Sequence, residues 1–223
     1  MYYTCLRKWG DTAVLSRIFD PDNWFFKPFG KLVDIIVLSF LWALISAVLL
    51  PFGATSTAVY DCVSHCLRRG EAGPYVRFFS TLKSNLVTGG TAGLIVLALG
   101  YGLGRLHGLL YALADTGSRS WSMIYVAFWV MLLLINGMMA YFFPVLSRFE
   151  FKVGGLITTC LRLSMAHLPS TLLLGFITTA AVIAVYVFIW PVLFVPCLWA
   201  LAASLPLERI FRPYIQEQEA KGA

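Results

Sequence analysis

Long apolar stretches alternate with shorter polar ones along this chain. The clearest apolar stretches are residues 33–50, 86–103, 123–146 and 172–190. A transmembrane helix needs roughly 20 mostly apolar residues to cross about 30 Å of hydrocarbon, and each stretch is close to that length. Because a helix satisfies its own backbone hydrogen bonds, such a segment can face lipid with apolar side chains alone. The pattern therefore predicts a protein embedded in a bilayer.

The last apolar region is too long for one helix. Trp190, Pro191 and Pro196 interrupt it, so we divide it into spans at 172–190 and 192–205. The predicted fold is all-α: an integral membrane helical bundle with about five transmembrane helices. The predicted domain boundaries are an interfacial N-terminal arm at 1–31, a transmembrane helical domain at 32–207 and a polar C-terminal tail at 208–223.

Two polar segments between the spans predict basic interfacial helices. Residues 54–85 form a polar connection that Gly73-Pro74 breaks in two, and apolar side chains recur at helical spacing on one face of its second half. Residues 148–167 repeat this arrangement of an apolar and a basic face. Helices of this kind lie in the plane of the membrane interface.

Five glycines within and directly after the second span are spaced four or seven residues apart. Rows of small residues let another helix approach closely, so we interpret these positions as helix-packing sites. A glycine-lined path or hinge is the alternative interpretation. The five are Gly89, Gly93, Gly100, Gly104 and Gly108.

The amino-acid composition indicates which kind of partner the protein binds. Hydrophobic side chains make up 59% of the 223 residues and charged ones only 13%, with 17 Lys and Arg against 11 Asp and Glu. In a soluble protein this positive balance would suggest nucleic acid, but here the basic residues lie beside the spans. Topology and anionic lipid explain them better, so we expect the lipid bilayer and no nucleic acid as a partner.

The basic residues also predict an orientation. A five-span arrangement places ten Lys and Arg on the side of residues 54–85, 148–170 and the C-terminus, and seven on the other side. The positive-inside rule then predicts an external N-terminus and a cytoplasmic C-terminus. If residues 54–70 cross or re-enter the bilayer, the N-terminal orientation reverses.

Cys62, His65 and Cys66 form the one constellation that resembles a metal site, because positions i, i+3 and i+4 share a helix face. A closed zinc site usually has four ligands, and the second pair is missing here. No serine has a recognisable base and orienting group, and no glycine-rich phosphate loop is followed by lysine. We therefore expect no enzyme activity, no cofactor and no metal.

Several short segments resemble the bacterial YesL family, most densely over residues 18–90. They are Phe19–Phe25 (FDPDNWF), Leu41-Trp42, Gly53–Tyr60 (GATSTAVY), Leu67–Glu71 (LRRGE) and Phe78-Phe79. The resemblance implies a multi-span bacterial membrane protein of unestablished biochemical activity. Members of this family often accompany carbohydrate uptake systems and glycan-degrading enzymes, so the resemblance implies an accessory role in sugar import.

The leading hypothesis is a protein that binds other membrane components, either subunits of a sugar importer or a second copy of itself. Its basic segments would form a docking surface, with lipid-headgroup contact as the simpler alternative. A stand-alone transporter or channel for a neutral solute is the other hypothesis. The docking candidates are Arg68, Arg69, Glu71, Arg77, Lys83, Lys152 and Arg162.

Overall fold

The computed structural model of this chain describes residues 26–149, 153–188 and 190–222, with side chains from residue 30 to residue 213 within those ranges. Most of the predicted N-terminal arm and Lys152 lie outside the described residues.

The described residues are helical and contain no β-strand, which confirms the predicted all-α fold. A π-helical segment, Val63–Leu67, follows the second α-helix of the described residues, and a 3₁₀ turn, Trp190–Leu193, precedes the last one. The α-helices in chain order are α1 (Phe26–Ser46), α2 (Phe52–Cys62), α3 (Pro74–Ser84), α4 (Leu86–Ala114), α5 (Arg119–Met139), α6 (Phe142–Arg148), α7 (Val153–Ala166), α8 (Leu168–Val187) and α9 (Val195–Gly222).

Three segments among the described residues are long and apolar enough to cross a bilayer. They are α4, the stretch Arg119–Arg148 that contains α5 and α6, and α8. In each of them only 22% of the most apolar 18-residue stretch is buried inside the protein, so most of its side chains are available to lipid. The predicted first and last spans, which fall in α1 and α9, are not among the three.

The helix boundaries differ from the predicted ones where backbone geometry intervenes. The predicted break at Gly73-Pro74 is confirmed, because Gly73 has a left-handed φ of 82° and α3 starts at Pro74. At the other end of the chain, α9 continues through the polar residues 208–222. Within it Phe211 is buried and packs edge-on against Phe149, so this part of the predicted tail belongs to the core.

The centre of the fold is α2, in the segment that the sequence predicts as a polar connection. Residues 53–67 are all buried, and α1, α3, α4, α6 and α9 pack around them. Their hydroxyl groups can be buried because they bond within the protein: Thr57 Oγ1 donates to the Gly53 carbonyl at 2.8 Å, and Ser56 Oγ accepts from Trp42 Nε1 at 3.0 Å. Polarity along this segment therefore reflects internal hydrogen bonds and not solvent exposure.

Close approach between α2 and α4 depends on glycine. A Cβ on Gly89 would lie 2.8 Å from the Cα of Ala54, and a Cβ on Gly93 would overlap the backbone of Gly53. The structure thus brings two of the five predicted helix-packing glycines against another helix. The other three are Gly100, Gly104 and Gly108, and a Cβ added to any of them would meet no atom of another described helix within 4 Å.

We expect Gly93→Ala to lower the free energy of unfolding by roughly 1–3 kcal/mol, because the added methyl group meets backbone that cannot rotate away. Gly104→Ala is the matched control on the same helix, and it should be neutral or slightly stabilising. Thermal unfolding of both variants in detergent tests this, and equal midpoints would contradict the α2–α4 contact.

Candidate functional site

A network of ionised side chains lies where α2, the π-helix, α3, α6 and α9 meet. Its innermost member is Asp61, the penultimate residue of α2, which is only 5% exposed. The Asp61 carboxylate accepts hydrogen bonds from Arg77 Nε at 2.8 Å and from Thr81 Oγ1 at 2.9 Å. Arg77 and Thr81 are one turn apart on α3, so α3 presents both donors to the same carboxylate.

Asp61 is also bonded to its own helix turn. His65 Nδ1 lies 3.0 Å from Asp61 Oδ1 and 3.1 Å from the Asp61 carbonyl oxygen. Burial alone would raise the pKa of Asp61, but the hydrogen bonds from His65, Arg77 and Thr81 outweigh it and hold the pKa at about 2. The carboxylate is therefore ionised throughout the physiological range.

The partners of His65 determine its tautomer. Arg148 Nη1 lies 2.8 Å from His65 Nε2, and a guanidinium can only donate. His65 Nε2 must then accept, which leaves the proton on Nδ1, facing Asp61. A neutral imidazole thus connects the Asp61 carboxylate to the Arg148 guanidinium.

Glu208 of α9 completes the network. Its carboxylate accepts from Arg148 Nη2 and from Arg69 Nη2, the latter at 3.0 Å. At the opposite end, Arg77 Nη1 donates to Glu71 at 2.8 Å. Carboxylates and arginines therefore alternate from Glu71 to Arg69, with His65 between Asp61 and Arg148, and each buried charge faces an opposite one.

A cleft of about 740 Å³ opens beside this network. Asp61, His65, Arg77 and Arg148 contribute to its lining. Hydroxyl and amide side chains contribute the other polar groups of the lining: Thr81, Ser84, Asn85, Thr88 and Ser147. This composition suits a small polar molecule, because hydroxyl and amide groups can both donate and accept hydrogen bonds.

The structure brings four of the predicted docking residues together. Arg69, Glu71 and Arg77 belong to the network, and Arg68 donates to the Ser204 carbonyl at 2.7 Å, so these side chains are engaged within the chain. Lys83 and Arg162 are exposed and lie outside it. Lys152 falls outside the described residues.

Sequence analysis missed Asp61, Thr81, His65, Arg148 and Glu208 as members of one site. The i, i+4 spacing of Asp61 and His65 could have predicted their contact. We instead interpreted His65, together with the adjacent cysteines, as resembling a metal site. In the structure Cys62 is buried and its thiol donates to the Pro74 carbonyl at 3.2 Å. Among the described residues, no three His, Cys, Asp or Glu side chains are grouped as metal ligands.

Comparison with known proteins gives one family match. A family model described as "Protein of unknown function, DUF624" matches residues 35–104, about a third of the chain. The match overlaps most of the stretch in which the sequence resembles the YesL family, and it includes α2, α3 and the network residues Asp61, His65 and Arg77. No curated protein and no solved structure matches the chain.

The two carboxylates that Arg77 binds should differ greatly in their contribution to stability. We expect Asp61→Asn to lower the free energy of unfolding by about 3 kcal/mol, because it leaves a partly buried guanidinium without its main counter-charge. Glu71→Gln should cost less than about 1 kcal/mol, since Glu71 is exposed. Thermal unfolding in detergent measures both, and an equal effect would show that burial of Asp61 does not matter.

Proposed function

We propose that this membrane protein is an accessory component of a bacterial carbohydrate uptake system, and that it works by holding another membrane protein. The resemblance to the YesL family supports the biological setting, and the match to a family of unknown function is compatible with it. Under this proposal the protein is not an enzyme, and both ring nitrogens of His65 serve the ion network instead of a substrate.

The distribution of basic side chains carries the proposal. Arg69, Arg77 and Arg148 are paired with carboxylates of the same chain, so their charge is already compensated. A second set of basic side chains is exposed on α3 and α9, which contribute to the network, and on α7. This set, the basic rim, consists of Lys83, Arg162, Arg209 and Arg212.

A basic rim beside apolar spans is complementary to a partner membrane protein that has acidic groups at its cytoplasmic interface. The three spans leave most of their apolar surface uncovered, which provides lateral contact area for the same partner. In the proposed orientation the rim and the C-terminus are cytoplasmic, in accord with the positive-inside rule.

Crosslinking in the native membrane, followed by mild-detergent capture of the tagged protein, tests the proposal. Importer subunits should be recovered in stoichiometric amounts. Reversal of two rim charges, Lys83→Glu with Arg162→Glu, should reduce their recovery at least about tenfold, because like charges at an interface repel strongly.

The matched control is Arg105→Glu, which reverses an exposed charge on the far half of α4. It should leave recovery unchanged. Recovery of the protein alone or only with itself, or equal losses in the rim variant and the control, would contradict the proposal.

The cleft favours one alternative function, a small transporter for a neutral solute. Its hydroxyl and amide groups suit a sugar, although no Trp or Tyr side chain that could stack on a sugar ring is among its lining residues. Trp42 bonds to Ser56, Trp129 packs edge-on against His107, and Tyr141 is buried. Sugar uptake by purified protein in liposomes would favour this alternative over the accessory role.

A further inference from the structure

The helices α1 and α2 form a hairpin whose two polar ends lie together. The Tyr75 hydroxyl donates to Asp34, in the third turn of α1, at 2.8 Å, and the Cys62 thiol at the end of α2 donates to the Pro74 carbonyl. Because Pro74 and Tyr75 are neighbours on α3, Asp34 and the end of α2 are at the same level of the protein. The turn at residues 47–51 is the opposite end of the hairpin.

That turn is apolar and uncovered. Val48, Leu49 and Leu50 are 72%, 59% and 63% exposed, and Phe40 and Leu44 are exposed on the preceding helix. A cluster of this size on a surface that faced water would be unfavourable.

The backbone of the turn does not depend on water for its donors. Every N–H from Ala47 to Phe52 donates to a carbonyl of the turn or of the end of α1, and Pro51 has no N–H to satisfy. In hydrocarbon each unsatisfied backbone group is costly, so a turn that faces lipid needs internal partners of this kind.

The backbone conformation of Leu49 is a second, independent indication that the turn lies in an apolar environment. Its φ of 64° is left-handed, a conformation that turns usually assign to glycine or asparagine. The chain keeps a large apolar side chain there, and that side chain points outward. An apolar environment around the turn explains this choice.

The part of the hairpin between Asp34 and Asp61 is too short to cross the bilayer. At 1.5 Å per residue, α1 rises about 18 Å from Asp34 to Ser46, and α2 descends about 14 Å from Phe52 to Asp61. The hydrocarbon layer is about 30 Å thick, so the hairpin reaches roughly halfway. Its tip packs against α4, because Gly53 meets Gly93 and a Cβ on Gly90 would lie 3.0 Å from the Leu50 carbonyl oxygen.

We propose that α1, the turn at 47–51 and α2 form a re-entrant hairpin that enters and leaves the bilayer on the same side, with lipid hydrocarbon around its tip. The occupant is lipid because the exposed tip is continuous with α4, one of the three helices long and apolar enough to span. Lys31 then shares one side of the membrane with the ion network. Among the described side chains, this leaves Arg105 and Arg119 as the only Lys or Arg near the other side.

Two measurements on variants with one added, exposed cysteine test the hairpin. Each is made in the full chain with Cys5→Ser, and the four remaining native cysteines are buried. In sealed vesicles, a membrane-impermeant maleimide should modify Lys31→Cys and Glu71→Cys from the same side and Arg119→Cys from the other. In liposomes, a nitroxide on Leu49→Cys should collide with oxygen more than with a water-soluble nickel complex. Val130→Cys, exposed on α5, is the lipid reference, and Lys83→Cys is the interfacial reference.

Three outcomes would contradict the proposal. Labelling of Lys31→Cys and Glu71→Cys from opposite sides would mean that α1 crosses the bilayer. A nitroxide at residue 49 with the nickel accessibility of the Lys83→Cys label would place the tip in water. A nitroxide shielded from both reagents would mean that protein, not lipid, covers the tip. All these positions are exposed, so the variants should fold.

Discussion

A carboxylate buried among apolar helices must be neutralised where it lies, and this requirement organises the fold around Asp61. An unpaired buried charge costs several kcal/mol, which is a large part of the net stability of a domain of this size. Arg77 and Thr81 of α3 and His65 of the π-helix supply the compensation. The positions of α2 and α3 relative to each other follow from these bonds together with the apolar contacts of Phe78, which is fully buried.

The other members of the ion network also need bonding partners. His65 needs a donor for its second ring nitrogen, and Arg148 provides it from α6. Arg148 in turn needs an acid, and Glu208 provides it from α9, where it also pairs with Arg69. Three helices distant in sequence are thereby fixed at the polar end of the bundle, while most of the apolar side chains of the spans α4 and α8 are not covered by the protein. π-Helical turns often occur at functional sites, and this one carries the histidine at the middle of the network.

Sequence patterns predicted the apolar helices and the break at Gly73-Pro74 because those features are local. The length of each apolar stretch predicted α4, α5 and α8 without information from the rest of the chain. The network could not be predicted in the same way, since Asp61 and Arg77 are 16 residues apart, His65 and Arg148 are 83 apart, and Arg148 and Glu208 are 60 apart. Composition was also misleading for residues 54–67, where serine and threonine look solvent-exposed until their bonds to nearby carbonyls are seen.

A double-mutant cycle between Asp61 and Arg77 tests the central claim that this buried ion pair holds α2 against α3. The free energy of unfolding would be measured in detergent for the parent protein, for Asp61→Asn, for Arg77→Gln and for the double variant. We expect the double variant to be more stable than the sum of the single losses implies, with a coupling energy of about 1–3 kcal/mol, because removing both charges leaves neither one buried alone. Additive losses would contradict the account and would mean that apolar packing alone positions the two helices.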